Sequence, residues 1–215
     1  MKRTLFSICA LVLSLTASAQ IIKDTPKGKL IENLYRSSKS WVKKGWTGIQ
    51  AGRYEGLVSK IVIGEDGCIY IYNPLSGLDS KSWLKLERQP DGKYRAKLPQ
   101  DIFTDDLGGD DDDEESSERT ISLNRLVSSD DGKSYEPVGP TLNYVDFTVE
   151  GRTLKMSGMG QKKQIWAATY NNSWLNNYGG DWALTIEPLK EQLITPPATA
   201  TKSQYTVTSK SDPSP

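Results

Sequence analysis

One device recurs along this chain: alternating apolar residues, a short glycine-bearing turn, and alternating apolar residues again. In "YEGLVSKIVIGEDGCIYIYNPL", Val62 on one side and Ile69 and Ile71 on the other flank Gly64-Glu65-Asp66-Gly67. In "SWLKLERQPDGKYRAKLP", Trp83, Leu84 and Leu86 lead into Gln89-Pro90-Asp91-Gly92, and Tyr94, Ala96 and Leu98 lead out. "RLVSSDDGKSYEPV" turns at Asp130-Asp131-Gly132, and "LNYVDFTVEGRTLKMSG" turns at Glu150-Gly151. A period of two places every second side chain on one face, and glycine permits the reversal between strands. Hairpins at such short spacing predict an all-β fold, an antiparallel meander that closes as a barrel of lipocalin-like general shape or stacks as a sandwich. Helix is confined to at most one short N-terminal element. "GKLIENLYRSS" gathers Leu30, Leu34 and Ile31 at a spacing that fits either a short helix or a first strand. "YNNSWLNNYGGDW" is too rich in Asn and Gly for either regular state.

The ends of the chain read differently from its middle. Lys2 and Arg3, an apolar run from Leu5 to Leu15, and Ala17-Ser18-Ala19 before Gln20 have the form of a cleaved signal peptide over residues 1–19. The run is shorter than the roughly 20 apolar residues that cross a bilayer, so no membrane span is expected. Residues 20–196 are the expected globular domain, with an acidic loop at 104–119. Residues 197–215, rich in Pro, Thr and Ser, read as a tail or the start of a second module, in which "SQYTVTSK" alternates like one strand.

Composition then narrows the chemistry. With no histidine anywhere, Ser-His-Asp and Cys-His nucleophiles and His-ligated metal sites are excluded. Cys9 lies in the leader, so Cys68 is left alone and no intramolecular disulfide is expected; the domain must rest on a packed core. A charge balance near zero gives no reason to expect nucleic acid as a partner.

The segments "DGCIYIYNP", "WLKLE" and "DGKYRAKLPQ" follow one another in an order that resembles the N-terminal β-domain of exported proteins of the Bacteroidales group. The resemblance spans about Pro26 to Pro196. It implies a β-fold and export, and because its motifs are turn glycines, Asn73-Pro74 and core aromatics, it brings no catalytic residues.

Three clusters are candidates for function. The acidic run Asp110, Asp111, Asp112, Asp113 and Glu114, continued by Glu115, is a possible calcium site, but contiguous like charges repel and the glycines precede them, so a solvated loop is the simpler expectation. Trp166, Tyr170, Trp174, Tyr178 and Trp182 lie among four asparagines and are the candidate platform for a glycan, against the plainer expectation that most of them are core. Trp174, inside the polar loop, is the member expected to be exposed. Trp41 and Trp46 among Lys39, Lys43 and Lys44 fit a lysine-protected strand edge. Asp146 and Glu150 fall on one face of a strand, the only pair singled out for carboxylate catalysis. The expected function is a non-enzymatic binding or surface-interaction module of the bacterial envelope, with a glycan, a small apolar molecule or another envelope protein as ligand. The alternative is a structural module of a larger surface protein, and a glycan-active carboxylate enzyme is the least expected. No cofactor is called for.

Overall fold

The computed structural model describes residues 20–44, 48–107, 117–128, 134–157, 159, 164–188 and 206–207. The described strands are β1 (Gly28–Lys44), β2 (Gly48–Gly64), β3 (Ile69–Tyr72), β4 (Trp83–Arg88), β5 (Tyr94–Lys97), β6 (Gln100–Leu107) and β7 (Ser117–Ser128). They continue as β8 (Tyr135–Pro137), β9 (Tyr144–Glu150), β10 (Thr153–Ser157), β11 (Gln164–Tyr170), β12 (Ser173–Trp174), β13 (Gly180–Pro188) and β14 (Thr206–Val207). The order β1-β2-β3-β4-β5-β9-β10-β13 returns to β1 and closes an eight-stranded antiparallel barrel. The N-terminal segment that fitted helix or strand is strand β1. Among the described residues no helix is long and apolar enough to cross a membrane.

Three of the glycine turns read in the sequence are present as turns: Gly67, Gly92 and Gly151 have φ of 78°, 84° and 60°, which favours glycine. The Asp130-Asp131-Gly132 turn lies outside the described residues, although β7 and β8 on either side of it pair antiparallel. The asparagine-rich segment is more regular than its composition suggested. Asn171 and Asn172, at φ of 47° and 61°, form a two-residue turn between β11 and β12, a conformation asparagine tolerates better than most side chains.

Six described strands lie outside the ring and extend the sheet: β6, β7, β8, β11 and β12 beyond β13, and β14 on β2. β13 is one branch point: Gly180 and Asp181 pair with β11, while Thr185 and Ile186 pair with β10. β11 is followed by β7 and β6, with β8 on β7. Near the far side, the Gln100 amide stands in for a strand backbone: it accepts from the Lys85 N–H at 3.0 Å and donates to the Lys85 carbonyl at 2.9 Å. β11 is therefore covered on both faces, with Trp166 and Ala168 in the main core and Ile165 and Ala167 in a second cluster under Trp41, Tyr135, Trp174 and Trp182.

Bulges decide which side chains face inward. Ile31 pairs with Ile61 but Leu34 with Ser59, so two residues of β1 oppose one of β2, and Asn33 takes a φ of 58°. Ile31 and Leu34, three apart, consequently both face the core. β13 shifts in the same way: Lys39 pairs with Ala183 and Ser40 with Asp181, leaving Trp182 out of register and Asp181 inside. The core includes the fully buried Trp166, Phe147, Ile71, Leu84, Leu86, Ile121 and Leu123, each of which stabilises by about 1.5–3 kcal/mol through burial.

Candidate functional site

Past Leu34 the inward positions of β1 are Arg36, Ser38 and Ser40, all buried. An arginine inside a barrel needs a counter-charge and acceptors, because an uncompensated buried charge is strongly destabilising. Asp181 supplies the charge, with its Oδ2 at 3.5 Å from Arg36 Nη2, the side chains being 1% and 4% exposed. The backbone carbonyls of Asn73 and Pro74 accept from Nη1 and Nη2. Burial pulls the Arg36 guanidinium below its ordinary pKa, and Asp181 opposes that shift.

Those two carbonyls belong to the loop 73–82 between β3 and β4, which the same cluster draws into the barrel. Ser76 donates to Asp181 Oδ2 from its N–H at 3.0 Å and from its hydroxyl at 2.9 Å, and Ser38 donates to Ser76 Oγ at 2.8 Å. The Ser40 hydroxyl donates to Asp181 Oδ1, and the Trp166 indole N–H reaches Oδ2 at 3.4 Å. Leu75 is buried beside them, and a side chain at Gly77 would collide with the Tyr178 carbonyl. The 73–82 loop is thereby fastened across this end of the barrel.

The opposite end carries the β2–β3 and β9–β10 turns and the start of β1. There a pocket of about 340 Å³ opens to solvent. Its wall is apolar, formed by Ile31, Leu34, Ile61, Ile69, Leu154 and Ile186, with Ile63 and Val149 at the mouth beside Glu32 and Arg152. Ile63 and Val149 are 45% and 51% exposed. A concave, preformed, apolar-walled site with a few polar groups at its edge is the usual form of a small-molecule pocket, and this volume is at the lower end of that range. The neighbouring turn is braced by Asp66, whose carboxylate accepts from the Tyr70 hydroxyl at 2.7 Å and from the Cys68 N–H at 3.1 Å. The Tyr70 bond is the largest influence holding the Asp66 carboxyl well below the usual range, and Tyr70 itself is pushed up to about 12, chiefly by burial.

The five aromatic candidates do not converge on one platform. Trp166 is enclosed in the core against Phe147, at 5.6 Å between ring centroids. Tyr178 packs edge-on to Phe103 at 5.8 Å, and Tyr170 lies under the Arg119 guanidinium at 5.6 Å. Trp174 and Trp182 belong to the separate cluster over Ile165 and Ala167. Trp174 is only partly exposed: it packs on Tyr135 at 4.9 Å and donates its indole N–H to the Gly179 carbonyl at 3.0 Å. The acidic run Asp110, Asp111, Asp112, Asp113 and Glu114 lies outside the described residues, as does Trp46. Asp146 is held by Arg95 through two bonds of 2.6 and 2.9 Å, and neither it nor Glu150 lines the pocket.

Sequence reasoning missed the pocket residues, which read as ordinary core isoleucines, and it missed Arg36 and Asp181. The signal for the latter was present: "RSSKS" places Arg36, Ser38 and Ser40 at a strict spacing of two, which is a face. No family model, curated protein or solved structure matches this chain.

Proposed function

We propose that this chain is an exported, non-enzymatic binding module of the bacterial envelope whose ligand is a small apolar molecule held in the open end of the barrel. The observation that carries the reading is the contrast in how the barrel ends are finished: one has a loop fastened across it by a buried polar cluster, and the other opens onto an apolar pocket of about 340 Å³. Export is supported by the leader-like form of residues 1–19. The apolar-ligand reading is preferred to a glycan because the aromatic residues are divided between two separate apolar clusters.

The test is the melting temperature of the chain across a panel of apolar small molecules. A ligand at a hundred times its dissociation constant adds about 2.7 kcal/mol of stability, a readily measured shift for a domain of this size. Val149→Lys, at the exposed mouth, is expected to weaken binding about tenfold, or roughly 1.4 kcal/mol, while the free chain melts as before. Uniform melting across the panel sinks the proposal.

A further inference from the structure

Two buried polar atoms just beyond the pocket wall have no partner among the described residues: the Nε of Arg36 and the hydroxyl of Ser59. Both belong to residues more than nine-tenths buried, at 3% and 6% exposure. Their positions follow from the strand register. Ser59 is directly opposite Leu34 and two residues from Ile61, Arg36 is two residues beyond Leu34, and Leu34 and Ile61 both line the pocket. The four side chains therefore share the inner face of β1 and β2, with the polar pair on the inner side of the apolar wall.

Leaving a buried donor unpaired costs about 1–3 kcal/mol. The indole N–H groups of Trp41 and Trp182 are also buried without a hydrogen bond among the described residues, but they belong to the separate cluster over Ile165 and Ala167. Around Arg36 itself, the other guanidinium nitrogens and both Asp181 oxygens are bonded. We infer that the pocket takes an apolar molecule with one neutral oxygen at its leading end, which accepts from the Arg36 Nε–H and bonds the Ser59 hydroxyl. This rests on the binding reading above and narrows it to a ligand class: medium-chain or cyclic alcohols and ketones. Neutrality follows from the charges. Asp181 already balances Arg36, so a carboxylate ligand would bring a second negative charge up to a buried pair that is already neutral. The donors select an oxygen, because the Nε–H can only donate and the hydroxyl can do either.

The experiment is displacement of a neutral fluorescent probe, N-phenylnaphthylamine, from the full chain by a matched series: octane, octanol, hexyl methyl ketone and octanoate. Octanol and the ketone are expected to displace the probe at about tenfold lower concentration than octane or octanoate, the equivalent of one net hydrogen bond. Ser59→Ala, confirmed as folded by its melting curve, is expected to bring octanol and octane to within about threefold of each other. If octane competes as well as octanol in the unaltered chain, or if the selectivity survives Ser59→Ala, the inference falls while the apolar pocket stands. Strongest displacement by octanoate overturns neutrality. If the probe and the whole series fail to bind, the binding reading falls as well.

Discussion

At one end of the barrel Arg36, Ser40, Ser76 and Asp181 fasten the 73–82 loop across the mouth; at the other, Ile31, Ile61, Ile63 and Ile186 surround a pocket open to solvent. Both ends are built from the same strands, chiefly β1, β2 and β13. The difference lies in what the inward positions carry. Hydrogen bonds and charge are directional, so a polar set fixes one loop in one place; apolar contact is not directional, so an isoleucine wall defines a shape and accepts what fits it.

The severest way to break this contrast is Asp181→Ala, which strands the Arg36 charge inside the barrel. A loss of about 3–5 kcal/mol is expected in urea denaturation, and Arg36→Met with Asp181→Leu is expected to recover most of it. A loss below about 1 kcal/mol would show that the pair does not hold the fastened end. Next comes one kind of truncation made at both ends. Leu75→Ala, under the loop, is expected to destabilise by about 2–5 kcal/mol, and Ile63→Ala, half-exposed at the open mouth, by no more than about 0.5 kcal/mol. Equal losses would mean the two ends are packed alike.

Between the ends, Gln100→Ala removes the amide that bridges β6 to β4, and a loss of about 1–2 kcal/mol is expected by calorimetry. No measurable change would show the bridge to be incidental. The smallest effect concerns pH at the turn beside the pocket. Asp66 is held below its ordinary value of 3.8, so its stabilising contribution is present above that pH and is lost as the pH falls further. Its side chain is 42% exposed, so the effect is small; Asp66→Asn should flatten the acid limb of the stability curve, and an unchanged limb would dismiss the brace.

Much of the ring was legible because each hairpin carries its own instructions, a period of two and a glycine where φ is positive. Val62 and Ile71 announce strands without reference to anything distant. The bulges were not legible: nothing in "LIENLYR" says that Glu32 and Asn33 together oppose a single residue, and that slip alone determines that Ile31 and Leu34 share the core. The fastened end depends on an arginine and an aspartate far apart in the chain, each unremarkable where it stands. Charge pairing across a closed barrel follows from topology, and local pattern reading has no access to it. The open end was hidden for the converse reason, since a pocket-lining isoleucine and a core isoleucine have the same sequence signature.

Barrel closure has a consequence for how the chain comes to be folded. β1 meets its second neighbour only when β13 arrives, as in the Ser37–Thr185 hydroxyl pair, 148 residues apart in sequence. During synthesis the first strand must wait with one edge unsatisfied until almost all the described domain has followed it. Pairings of such long range make for slow folding, since loop entropy is lost before the contacts repay it. A chain that closes last where it begins stays open for as long as it is being made.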